Sequence, residues 1–218
     1  MPKVTDRQGR PFSGQMPGLV EGVVTDNVDP DQLGRVKVKF PMLPDMPTGY
    51  WARLVMPMAG KERGWMTIPE VDDEVLVAFV HGDINHAIVM GSLYNGVDTP
   101  PYANEDGDNN LRVFQSRSGH RLTFDDTSGA ERIELISHNE EIRFIWDSAN
   151  KTLSIYSGKD IIIEAKETIS LKCKDFILEA ENSISMKSGT TTDIETGTSC
   201  TVNGGQQLTL KASMTNIN

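Results

Sequence analysis

The chain has 218 residues, a formal net charge of −10, a sequence pI near 4.9, 6% aromatic residues and two cysteines. Such an acidic balance argues against a phosphate-backbone partner, which needs clustered Lys and Arg. Two cysteines without a CxxC or HxxxH spacing supply neither a disulfide framework nor a common zinc motif, and no run approaches the roughly eighteen apolar residues of a spanning helix.

Positions 1–18 are polar, rich in Gly and Pro, and lack the apolar stretch of a secretory signal, so synthesis in the cytoplasm and release without that signal are expected. From 19 to 97 the pattern is strand after strand. Val36, Val38 and Phe40 alternate with Arg35, Lys37 and Lys39, opened by Gly34 and stopped by Pro41. The basic strand reads as a solvated face. The run EVLVAFV at 74–80 is continuously apolar and is expected to be buried on both faces, with Gly82 and Asp83 turning it back into AIVM at 87–90. About five strands in some eighty residues, with no helical period, suggest a small closed barrel of OB type. All three tryptophans, Trp51, Trp65 and Trp146, precede position 153, which places the packed part of the molecule toward the N-terminus.

Pro100, Pro101 and the polar stretch 104–110 mark a linker over 98–110. Between 111 and 152, transition strands carry apolar pairs at Leu111/Val113, Leu122/Phe124, Ile133/Leu135 and Ile142/Phe144, with turns at Ser118-Gly119, Ser128-Gly129 and 148–150. They read as a wider, less regular form of the repeats that begin at position 153. His120 with Asp125 and Asp126, and His138 with Glu140 and Glu141, are the groupings that acid-base chemistry would use. Turn chemistry explains both, and no catalytic residue, metal ligand or cofactor is assigned.

Residues 153–218 repeat with a period of eight. Apolar pairs fall at Leu153/Ile155, Ile161/Ile163 and Ile169/Leu171; after a one-residue slip they resume at Phe176/Leu178, Ile184/Met186, Thr192/Ile194, Cys200/Val202 and Leu208/Leu210. A pair at i, i+2 lies on one face of a strand. Gly189, Gly197 and Gly205 also stand eight apart, where positive φ is expected at each bend. Each repeat holds too few hydrophobes to fill a hollow coil alone, whereas three identical chains wound together would place the pairs on a common axis and pair every strand edge. The expected fold is therefore all-β: an OB barrel followed by an intertwined triple-stranded β-helix in a homotrimer. A single-chain β-helix or an antiparallel meander with an accidental period are the alternatives. Cys200 occupies a pair position and Cys173 continues the strand of Ile169 and Leu171, so both are expected as small buried hydrophobes.

Several ordered motifs also carry a family likeness. The run GVVTDNVDPDQLGRVKVKFP at 22–41, Trp51-Ala-Arg53, Pro57-Met-Ala-Gly60 and GWMTIPEVDDEVLVAF at 64–79 resemble the OB domain of phage baseplate assembly protein V and of the VgrG spikes of type VI secretion. So do HGD at 81–83, GSLYN at 91–95, Pro100-Pro101, SRSGH at 116–120 and FDDTSG at 124–129. The resemblance implies a structural spike of a contractile injection machine, whether phage tail, tailocin or extracellular injection system, that punctures a target membrane. An OB-fold binding module or an envelope-degrading enzyme of the same apparatus is the alternative function. It further implies a trimeric hub at the OB end, met by positions 1–18 and supplied by another polypeptide. At the other end a PAAR-type tip protein would seat on Met214, Asn216, Ile217 and Asn218, since no histidine follows His138 to seal the tip with a metal.

Overall fold

The computed structural model describes residues 16, 18–43 and 49–216, and the expected hub-contacting segment 1–18 therefore lies almost wholly outside the described residues. Twelve strands form the described secondary structure apart from one 3-10 turn, so the chain is all-β.

The first five long strands close on themselves. β1 (Leu19–Asp26), β2 (Val36–Lys39), β3 (Tyr50–Leu54), β6 (Glu74–Phe79) and β7 (Ala87–Ser92) form a closed barrel in the order β1-β2-β3-β7-β6. β3 and β7 pair in parallel and every other pair is antiparallel. That is the five-stranded Greek-key order of an OB fold. Closure leaves no free edge in the barrel, and alternate residues fill it: Val20, Val24, Val36, Val38, Val75, Val77 and Val89 are buried with Phe40, Phe79, Ala52 and Ala87. β-branched valine suits such a narrow interior, where the backbone already restricts χ1. Phe40 meets Phe79 edge-on with centroids 5.3 Å apart.

β6 departs from the sequence reading. Val75, Val77 and Phe79 are buried, but Leu76 and Ala78 are only half-buried, so the run has one interior face. The tryptophans depart further. Trp51 lies half-buried under Arg35 and Lys37, and Trp65 and Trp146 are exposed; the interior is built from valine and phenylalanine instead.

Two local devices shape the barrel wall. Gly22 pairs within β1 where an added Cβ would run into Val38 Cγ1 and lie 3.2 Å from the Phe40 ring. Between β1 and β2 the Asp29 carboxylate accepts the backbone N–H groups of Asp31, Leu33 and Arg35 and the Arg35 guanidinium, at 2.7 to 3.1 Å. Arg35 also reaches Asp31 at 2.6 Å. The Arg35 side chain, with those backbone donors, holds the Asp29 carboxyl far below the usual carboxylate range. Arg35 is thus a loop clamp and not a solvated strand residue.

β4 (Ala59–Gly60) and β5 (Arg63–Gly64) make a short separate hairpin. After a strandless stretch from 93 to 110, β8 (Leu111–Gln115), β9 (Arg121–Asp125), β10 (Arg132–Ile136), β11 (Ile142–Asp147) and β12 (Thr152–Ser157) form an antiparallel meander in the order β12-β11-β10-β9-β8. The transition strands are therefore an ordinary sheet paired within the chain. Leu153 and Ile155, expected as the first repeat, belong to its last strand.

The chain divides into two units, 1–161 and 162–218. In the second, bends fall at 166–167, 174, 181–182, 189–190, 197–198 and 213, with a turn at 205–206. The interval is eight throughout except around 174, where the sequence slips by one. Gly189 and Gly197 stand at bends, but of the three octad glycines only Gly205 takes positive φ, at 61°. The other two bends use ordinary backbone, and a Cβ at either would meet nothing within 4 Å, so nothing in the described residues requires glycine there.

Two outcomes test the barrel account. Gly22→Val overpacks the wall and destabilises the protein by about 1–3 kcal/mol in urea melts. Asp29→Asn lowers the melting temperature at pH 7. Because the folded-state value is depressed, this contribution is present above the ordinary carboxylate value of about 4 and is lost as pH falls through the folded value. The gap between variant and native melts narrows on acidification.

Candidate functional site

The meander has two chemically different faces, fixed by register. Phe114 pairs with Leu122, Leu122 with Leu135, Leu135 with Phe144 and Phe144 with Ile155. One row over, Phe124 pairs with Ile133, Ile133 with Trp146 and Trp146 with Leu153. Directly opposed residues share a face of the sheet, so these two rows make one continuous apolar surface. Arg112, opposite Phe124, breaks it only at a corner, where its guanidinium turns to Asp126 and to the carbonyls of Asn109 and Asn110.

Among the described residues this face is largely uncovered, with Trp65 against Phe114 at one end. Trp146 is 57% exposed, Leu135 56% and Phe114 53%, with Phe124, Phe144, Leu153 and Ile155 exposed as well. Large contiguous apolar surfaces on a folded chain mark association sites.

The opposite face is polar and internally satisfied in most places. Asp125 accepts the Thr127 N–H and lies 3.3 Å from Arg132 Nε; the Thr127 hydroxyl first, and Arg132 with it, hold its carboxyl below the usual range. Arg132 also pairs with Glu134 at 3.1 Å, Arg121 with Glu140 at 2.8 Å, and Arg143 lies 4.6 Å over the Tyr156 ring. Glu140 is held low, and Arg121 high, by their mutual hydrogen bond. Two buried polar atoms on this face, Thr123 Oγ1 and Arg143 Nε, have no hydrogen-bond partner among the described residues.

The sequence-based acid-base groupings do not assemble. The His120 and His138 rings stack edge-on at 5.1 Å and the His138 N–H donates to His120 Nδ1 at 3.2 Å. Asp126 goes to Arg112, Glu140 to Arg121, and Glu141 accepts from Asn139. Each histidine is turned to the other histidine, and the carboxylates named with them are bonded elsewhere.

The repeats of the second unit are also uncovered. Ile161, Ile163, Ile169, Leu171, Phe176, Leu178, Ile184, Met186, Ile194, Val202, Leu208 and Leu210 are exposed, as are Cys173 and Cys200, which are free thiols and not buried in the single chain. Among the described residues, hydrogen bonds within 162–216 are local: Ser188 Oγ to the Thr191 carbonyl, Gly205 N to Asn203 Oδ1, Gln207 N to the Gly204 carbonyl and Gln207 Nε2 to Thr209 Oγ1. No strand ladder forms there. Of the expected tip residues, Met214 and Asn216 are exposed, while Ile217 and Asn218 lie outside the described residues.

The barrel region has counterparts among known proteins. Residues 20–94 match the type VI secretion system/phage-baseplate injector OB domain. The chain is also similar to VgrG spike proteins. It is 32% identical over 143 residues to the type VI secretion system spike protein VgrG3 of Vibrio cholerae, and 33% identical over 150 residues to the spike protein VgrG5 of Pseudomonas aeruginosa. Those matches cover 62% and 60% of this chain but only 14% and 19% of the relatives, so the VgrG-like chain spans a small part of their length. A further relative, 28% identical over 160 residues, is the actin cross-linking toxin VgrG1 of Vibrio cholerae.

The sequence reading missed the most aromatic part of the site. The pair Leu111/Val113 looked apolar and inward, but register places it opposite Asp125 and Thr123 on the polar face, and Phe114 is the residue that joins the row. The signal was the lone phenylalanine between Val113 and Gln115. Replacing Phe144 with Asp is expected to abolish self-association in sedimentation velocity, whereas Ser154→Lys, on the other face of the neighbouring strand, leaves it unchanged.

Proposed function

We propose that three copies of the VgrG-like chain wind together from about position 161 into a β-helix and serve as the spike of a contractile injection machine. One observation carries this reading: a segment of more than fifty residues repeats apolar pairs and bends every eight residues, its apolar side chains are exposed, and among the described residues its few hydrogen bonds are local and form no strand ladder. Backbone N–H and C=O groups demand partners when apolar surface around them is buried, and strands from two further copies supply both at once. The injector OB domain and the spike-protein relatives point to the same apparatus.

In this arrangement the seven pairs from 161 to 210 line the axis. At ~4.8 Å per repeat they make a shaft on the order of 35 Å. Cross-strand hydrogen bonding around the prism gives the axial stiffness that puncturing a target membrane needs, and the reading includes no catalytic step, metal or cofactor. A trimeric hub engages the barrel end, with positions 1–18 taking part, and a PAAR-type tip protein seats on Met214, Asn216, Ile217 and Asn218. The division of the chain into barrel over 19–97, linker over 98–110, transition strands over 111–152 and repeats over 153–218 belongs to the same reading, with Leu153 and Ile155 contributing through the meander.

The expected mass in light scattering is three times 24.1 kDa, and a folded monomer at micromolar concentration refutes the reading. Ile194→Asp puts three like charges into an apolar axis at a cost of several kcal/mol and blocks assembly, whereas Thr190→Asp and Glu195→Lys, outside the pairs, are tolerated. Deleting 209–218 abolishes capture of the tip protein while leaving the trimer intact.

A further inference from the structure

The segment between the β4–β5 hairpin and β6 touches the apolar face through Trp65. After the β4–β5 hairpin the Trp65 N–H donates to the Met58 carbonyl at 2.9 Å, and the indole meets Phe114 edge-on, with centroids 6.3 Å apart and planes at 81°. Arg117, in the turn between β8 and β9, reaches back to Glu70 at 3.0 Å and ties the same two segments. β8 is an edge strand of the meander, with β9 on one side and no strand on the other among the described residues. Phe114 is therefore the last residue of the row that runs from Ile155 through Phe144, Leu135 and Leu122. Trp65 sits at the end of that row, beyond its last strand. Contact with Phe114 leaves the indole 53% exposed, and Met58 beside it is 54% exposed.

We propose that Trp65 ends the interface between copies of this chain on its barrel side, so that the copy covering Phe114 also covers the indole and Met58. The proposal rests on the trimer described above. A second copy is the occupant because Trp65 and the sheet row form one continuous apolar surface through the Trp65–Phe114 contact. A different protein seated on Trp65 would compete with the neighbouring copy for Phe114. A tryptophan in this position gives the barrel a direct hold on the assembly, beyond its covalent link, and closes the row where the meander runs out of strands. Tryptophan is enriched at interfaces because one ring supplies a large apolar area together with a polar N–H.

Hydroxyl-radical footprinting of the native full chain, with the molar mass taken on the same sample, tests this. The expected result is a trimeric mass with Trp65 oxidised several-fold more slowly than exposed Tyr94 after correction for intrinsic reactivity. In a second measurement, p-benzoyl-phenylalanine at position 65 gives chain-to-chain adducts, and the same group at position 97 gives none. A trimer in which Trp65 reacts at the surface rate, or in which position 65 crosslinks only within its own chain or only to an added hub protein, overturns the proposal and leaves the trimer standing. A monomeric mass for the native chain overturns both.

Discussion

Two rows of the meander and two residues in most repeats beyond 161 carry apolar side chains that the described residues leave largely open to water. Burying such surface is worth roughly 25 cal/mol per Å², and leaving it in water forfeits that on every residue. The constraint decides which face of the sheet is inward. The charged residues then fall into place: Arg121, Arg132, Asp125 and Glu134 all stand on the opposite face, pairing among themselves or with the turn carboxylate of Glu140. On that face Thr123, Asp125 and Ile136 are buried, whereas the apolar rows stay exposed and open to the copies of the proposed trimer.

The barrel obeys the opposite rule. It closes through the parallel β3–β7 pair, leaves no edge, and fills its interior with valines from its own strands. A module that satisfies itself can be recognised from a stretch of 75 residues, and residues 20–94 are the part that matches the injector OB domain. In the trimer proposed above, the apolar surface of the remainder is what copies of the chain cover, and exposure that would be a defect in a solitary domain specifies assembly.

Legibility in the sequence obeyed the same division. Val36, Val38 and Phe40 alternate with charged neighbours, and the structure buries all three, because a closed barrel imposes period two on each strand. The octads were readable because bend and pair recur together, even through the slip near 174, where a single bend residue replaces two. Inferences from adjacency failed. Leu111 and Val113 are apolar neighbours of β8, but cross-strand register with Asp125 and Thr123 decides their face, and register is not a local property. His120 and His138 are eighteen residues apart and stack, while each is close in sequence to carboxylates that bond elsewhere. The tryptophans mark the packed part of the molecule in the sequence, yet Trp65 and Trp146 stand exposed on its surface.

The meander lying between barrel and repeats in the sequence has a physical reason. Its five strands are joined by tight turns, so every ladder closes a short loop and forms at little entropic cost within one chain. Beyond 161 the eight-residue spacing leaves no hairpin turn, and among the described residues no ladder forms, so ordering that backbone depends on other chains. Chain-to-chain pairing of so long a segment is slow to begin unless the chains are first held together. The apolar face of the meander can do this with surface that is already folded. Local pairing thus presents a prepared patch, and the patch raises the effective concentration of the repeats C-terminal to it. In the proposed trimer the meander is then the step that converts three self-sufficient barrels into one assembly, and its aromatic rows matter most before the repeats have found each other.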